Sequence, residues 1–94
     1  MMDLSNDLCL KITNLSEIGD QLFEQNKLDE SLAKYNEALD LIPEPKSNWE
    51  ASSWLFVAIG DVLFCMEYYK KAVSYFHDAW NLFQNQNNPL YFSD

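Results

Sequence analysis

The chain repeats itself at an interval of 41 residues. Ile18, Gly19 and Asp20 recur as Ile59, Gly60 and Asp61, Leu22 and Phe23 recur as Leu63 and Phe64, Tyr35 is met by Phe76, and Ala38 by Ala79. So many matches at one spacing, several of them in uncommon residue types, mark a duplicated unit. A duplicated unit restricts the chain to folds made by setting like beside like.

Each unit reads as two helices. In the first, Leu8, Ile12, Leu15, Ile18, Leu22 and Phe23 recur at steps of three and four, which puts them on one apolar face. Gln25, Asn26 and Lys27 break that pattern. Leu28, Leu32, Tyr35, Ala38, Leu39 and Ile42 then give a second inner face. That helix stops ahead of Pro43, because proline disfavours helical backbone in the residue before it. The second unit opens on Ser47, Asn48, Trp49 and Glu50, a capping-box pattern, and its first helix runs to about Cys65. Met66, Glu67 and Tyr68 form the equivalent turn. A fourth helix runs from Tyr69 to about Gln84, with Ala72, Val73, Phe76, Ala79, Trp80 and Phe83 inward. A polar loop over residues 85–87 and a fifth helix from Asn88 and Pro89, cut off at Asp94, complete the expectation.

Composition agrees. Ninety-four residues allow one domain over residues 1–94: unit one over about 3–43, a connector over 44–47, unit two over about 48–84, and the start of a further helix over 88–94. A hydrophobic share of 48% supports a core, and two Gly with three Pro leave few sites for the turns of a hairpin-rich β-protein. Fifteen acidic residues against six lysines and no arginine give a net charge of -9. That field repels phosphates and attracts cations and basic proteins, which argues against nucleic acid as a partner.

Cys9 and Cys65 form no CxxC and His77 is the single histidine, so no metal site is expected, and both cysteines are expected as buried apolar side chains in a reducing compartment. Met1 starts no basic signal segment, and the longest apolar run, residues 54–64, is broken by Gly60 and Asp61. A cytoplasmic chain without a membrane span is expected.

These residues resemble the tetratricopeptide repeat, a helix-turn-helix unit of about 34 residues. Leu15, Ile18, Gly19, Leu22, Ser31, Tyr35, Ala38 and Pro43 stand at the family's signature spacing, and Phe56, Ile59, Gly60, Leu63, Ala72, Phe76 and Ala79 repeat it. The resemblance covers residues 12–84 and implies an all-α, right-handed stack of two helical hairpins plus a truncated fifth helix. Gly19 and Gly60 would let partner helices approach, and Tyr35 and Phe76 would fill the space between units. The units run about seven residues beyond the family's repeat. The excess falls around residues 45–51, as a longer connector or an extra leading turn on the third helix. Leu41, Ile42, Pro43, Glu44 and Pro45, followed by Trp49, Glu50 and Ala51, by Trp54 and Leu55, by Ala58, Ile59, Gly60 and Asp61, and later by Asn88 and Pro89, are similar to small bacterial members encoded beside polymorphic toxins. Members of that group are presumed immunity proteins and usually continue into a third repeat.

No phosphate-binding glycine loop, nucleophile elbow or zinc-binding helix pair is present, so neither catalysis nor a cofactor is expected. In the resembling repeats the first helix of each unit lines a concave groove. This implies Ser16, Asp20, Phe23 and Glu24 from unit one and Trp54, Val57, Asp61 and Phe64 from unit two as partner-binding residues. Acids flanked by aromatics suit a basic protein segment. Members that bind chaperone tails place Lys, Asn and Arg there, and the aspartates argue against that role. The plainer alternative has both aspartates solvated and Phe23 and Phe64 packed between helices. Trp49 and Trp54 are open to either core or anchor roles, and Tyr68 and Tyr69 are expected to staple a turn.

The outward face of the fourth helix, near Val73, Phe76, Trp80 and Phe83, has only residues 89–94 to cover it. Leu90, Tyr91 and Phe92 fold back over it, or an exposed patch drives self-association or partner binding. The functional expectation is an immunity protein that blocks a basic toxin domain; the alternative is a general adaptor or secretion chaperone for a basic client.

Overall fold

The computed structural model describes residues 5–46 and 49–87, and among them the protein is all-α. Four helices follow in order: α1 (Asn6–Glu24), α2 (Leu28–Leu41), α3 (Glu50–Cys65) and α4 (Tyr69–Asn87). Neighbours in sequence pack on one another, α1 on α2, α2 on α3 and α3 on α4. The expected fifth helix over residues 88–94 lies outside the described residues.

The two hairpins end their first helices in the same way. After α1, the Lys27 N–H donates to the Leu22 carbonyl (2.8 Å) and Asn26 N–H to Phe23 (2.9 Å). After α3, Tyr68 N–H donates to Leu63 (2.9 Å) and Glu67 N–H to Phe64 (3.0 Å). Asn26 (φ 62°) and Glu67 (φ 69°), 41 residues apart, both take the left-handed conformation that this Schellman-type ending requires. Asparagine adopts it readily and glutamate does not, so here the backbone repeats where the residue type does not.

Gly19 and Gly60 mark a close approach of the paired helices. A methyl group at Gly19 would lie 2.7 Å from Tyr35 Cε1, and one at Gly60 would lie 2.6 Å from Phe76 Cε1. Each ring therefore packs against the glycine of its own unit, and Tyr35 is also buried in the cluster that joins the two units. A helical glycine costs about 1 kcal/mol relative to alanine, and the burial of an aromatic ring repays it.

One core runs through the described helices. Ile12, Tyr35, Ala38, Leu39 and Ile42 join Leu55, Ile59, Val62, Leu63 and Ala72, so unit one and unit two share a single buried cluster. Trp49 belongs to it, with its indole N–H donating to the Pro43 carbonyl (2.9 Å). The Ser52 hydroxyl donates to the Lys46 carbonyl (2.6 Å), fastening the connector to the start of α3. The extra residues are thus a longer connector: α3 begins at Glu50, the counterpart of Cys9, three places later in register than α1.

Several expectations are corrected. Residues 85–87 continue α4, because nothing in them breaks a helix and Pro89 is the first residue that would. The N-cap of α3 is Trp49, without a side-chain bond, so Glu50 opens the helix and is not the third residue of a capping box. The Ser47 half of that box lies outside the described residues. Cys9 and Cys65 are exposed. Ile18 (42%), Val73 (63%), Trp80 (57%) and Phe83 (55%) are likewise exposed. Their apolar periodicity is real, but no described helix packs over those faces. Among the described residues no helix is long and apolar enough to cross a membrane.

Candidate protein-binding surface

The expected groove residues separate into three groups. Ser16 leaves the site altogether: it is buried, and its hydroxyl donates to the Ile12 carbonyl one turn back (2.8 Å). Asp20, Phe23 and Glu24 border one shallow concavity on unit one. There Phe23 leans against the core while the two acids are exposed.

On α3, Trp54, Val57, Asp61 and Phe64 follow one another at steps of three, four and three, forming a single exposed stripe. Phe64 at its far end meets Tyr69 edge-on, with centroids 5.1 Å apart, so Tyr69 does anchor the turn, while Tyr68 lies beneath the Lys71 ammonium.

Tyr35 links the two aspartates. Its hydroxyl donates to Asp20 Oδ1 from the core side. Its pKa is raised well above the ordinary tyrosine value, first by burial, then by the hydrogen bond and charge of Asp20, with the Asp61 charge adding to the effect. Both carboxylates therefore act on one phenol, one by direct contact and one through space. The Asp61 carboxyl is itself pushed above the ordinary aspartate value by desolvation, and the counterpart of Tyr35 in its own unit is Phe76, which has no hydroxyl to offer. A carboxylate that is partly desolvated and lacks a donor from its own hairpin is improved by an incoming cation.

Trp54 and Val57 also face the other way. With Glu50 and Ser53 of α3 and Phe76, Ala79, Trp80 and Phe83 of α4 they line a mostly apolar pocket of about 350 Å3. Among these, Trp54 is 44% exposed, Val57 43% and Trp80 57%. Sequence reasoning placed Trp80 and Phe83 on a patch open to self-association or partner binding, and not among the groove residues. The 41-residue register was the available signal, since it pairs them with Leu39 and Ile42 of unit one, both buried.

Among the described residues, no three His, Cys, Asp or Glu side chains come together as a metal site. Comparison of the chain with protein-family models, with curated proteins and with solved structures finds no significant match.

Proposed function

We propose that this chain is a non-catalytic protein-binding module of tetratricopeptide-like build, whose acidic, aromatic-flanked face grips a basic segment of another protein. The observation that carries this reading is the pair Asp20 and Asp61, equivalent in the repeat, both exposed and both acting on Tyr35, with exposed Trp54, Val57 and Phe64 on the same helix as Asp61. Aromatic anchors supply binding energy at protein interfaces, and carboxylates poor in partners select a cationic counterpart. A net charge of -9 adds long-range attraction to such a partner.

The concrete form of this function is an immunity protein that blocks a toxin domain with a basic substrate-binding surface, in the cytoplasm of the producing bacterium. It rests on the resemblance of residues 41–61 and of Asn88 and Pro89 to small proteins encoded beside toxins. The general adaptor or secretion chaperone for a basic client is the second reading, and the mostly apolar pocket beside Trp54, bordered by Glu50, favours it, because it offers contact area apart from the aspartate pair.

The test is association with the basic domain encoded next to this gene, followed by calorimetry and by neutralisation of that domain's toxicity. The double variant Asp20→Lys/Asp61→Lys is expected to weaken binding by about a hundredfold, and raising salt to about 0.5 M to weaken the wild-type complex by about tenfold. Affinity unchanged by both the charge reversal and the salt overturns the reading.

A further inference from the structure

The turns of the two hairpins differ in charge. α2 opens on Leu28, Asp29 and Glu30, and α4 opens, at the same places in the repeat, on Tyr69, Lys70 and Lys71. Acids suit the first turn of a helix and lysines oppose it, so unit two carries a pair of cations that does nothing for its own helix. The rings differ too. Phe23 and Leu28 lean against the core, whereas their counterparts Phe64 and Tyr69 are 55% and 50% exposed, and Tyr68, where unit one has Lys27, is 53% exposed. The Lys71 ammonium lies 5.7 Å from the centroid of the Tyr68 ring, and among the described residues neither Lys70 nor Lys71 enters an ion pair.

The last residues of the sequence do not reach this patch. The bonds from Trp49 to the Pro43 carbonyl and from Ser52 to the Lys46 carbonyl hold the start of α3 beside the end of α2, so both turns lie at one end of the helices. From there α4 carries the chain about 27 Å away, at about 1.5 Å per residue. Leu90, Tyr91 and Phe92 follow within five residues of Asn87, a span of at most about 18 Å. Residues 1–4 precede α1 at the same far end and span about 14 Å.

We infer that the segment held by the acidic face is bipolar: beyond the cation that meets Asp20 and Asp61 it carries an apolar side chain for Phe64 and Tyr69, and then one or two carboxylates for Lys70 and Lys71. This rests on the acidic-face reading and adds a register to it. Asp61 lies one helical turn before Phe64, Phe64 meets Tyr69 edge-on, and Lys70 follows Tyr69, so acid, rings and cations come in that order. The partner as a whole stays basic, because a net charge of -9 repels a uniformly acidic one. Glu67 at the same turn, with Asp29 and Glu30 on the other, leaves no place for a long acidic run. Opposite charges at the two ends of the contact fix its direction and disfavour a reversed segment.

The probe is a labelled synthetic peptide with two lysines, then Leu and Phe, then two glutamates, made in both chain directions. A control form has glutamine in place of both glutamates. Fluorescence anisotropy with the full chain is expected to show the glutamate peptide, in one direction, bound at least about fivefold tighter than the glutamine form, although the latter carries the greater positive charge. Lys70→Glu/Lys71→Glu is expected to abolish that preference while leaving the glutamine form bound no more weakly. Unit one carries acids at these places, so the variant is expected to keep its circular dichroism.

Glutamate and glutamine peptides bound alike overturn the inference, as does a preference that survives the lysine variant. The acidic-face reading outlives that result if the glutamine form still loses affinity in Asp20→Lys/Asp61→Lys, so the two fail separately. A dimer of the free chain that the lysine variant dissociates makes a second copy the occupant and also overturns it.

Discussion

Unit one and unit two fold by the same rule and are held by different chemistry. In unit one two polar contacts cross the hairpin: the Ser31 hydroxyl donates to the Gly19 carbonyl (2.7 Å), and the Tyr35 hydroxyl donates to Asp20. In unit two the matching residues are Ala72 and Phe76, neither of which carries a hydroxyl, so those two bonds are not repeated there. Unit one is also sealed by α3 and turns a polar surface outward on α1, whereas unit two keeps Trp54, Trp80 and a pocket open. A duplicated hairpin has thus been divided into a locked half and an exposed half. The exposed half lacks the hydrogen bond that would satisfy its aspartate.

The largest test of that contrast is at the glycines. Gly19→Ala is expected to destabilise the fold by about 2 kcal/mol, because Tyr35 is 2% exposed and tethered to Asp20 and has nowhere to go. Gly60→Ala drives the same clash into Phe76, which is only partly buried at the floor of the pocket. Tilting that ring, together with the gain in helix propensity, keeps the loss under about 1 kcal/mol. Urea unfolding of the pair measures this, and equal losses break the distinction between the halves.

Converting one unit's chemistry into the other's comes next. Ser31→Ala, which removes a buried bond to the Gly19 carbonyl, is expected to cost about 1–2 kcal/mol, and Tyr35→Phe, whose partner Asp20 is exposed, about 1 kcal/mol. The reciprocal Phe76→Tyr is expected to gain about 0.5 kcal/mol by offering Asp61 a donor. Thermal melts of the three variants sharpen the comparison, and a loss on Phe76→Tyr contradicts it.

The tyrosine also sets an alkaline limit. Because burial and Asp20 raise its pKa above 10.0, the folded state keeps the phenolic proton after the unfolded chain has released it. Stability that is complete below pH 10 therefore falls as pH rises beyond it, by about 1 kcal/mol for the first unit, and Tyr35→Phe removes that dependence. Unfolding midpoints between about pH 9 and about pH 11 report it.

Asp61→Asn should have the smallest effect. Desolvation raises the Asp61 pKa above 3.8, so its contribution to stability is lost as pH rises through the folded value, and the ionised side chain is a mild burden at neutral pH. At this exposed position the asparagine gains about 0.5 kcal/mol or less at neutral pH and nothing in acid. A carboxylate kept at some cost to folding is the expected mark of a binding residue, so a variant that is more stable and binds a basic partner less well joins the two readings.

Much of this was legible beforehand. Helix ends at Glu24, Leu41 and Cys65 follow from the break at Gln25, from Pro43 and from the turn at Met66, since these act within a few residues. The close approach at Gly19 and Gly60 was legible because glycine at matching helix positions has few other uses. The binding surface was read less well. Ser16 belongs to the same helical stripe as Asp20 but spends its hydroxyl on its own backbone, and periodicity cannot distinguish a stripe that faces a groove from one that faces a neighbour. Cys9 and Cys65 misled for a related reason, as residue type alone does not say which side of a helix meets water.

The sequence by itself determined that there are two hairpins and where they turn, because short-range pattern and the self-match at 41 residues carry that information. Only the tertiary structure decided that α3 seals unit one and that no described helix seals unit two. Burial is a property of neighbours. Leu39 and Trp80 occupy one position in the repeat, and what separates their fates is whether another helix lies over them.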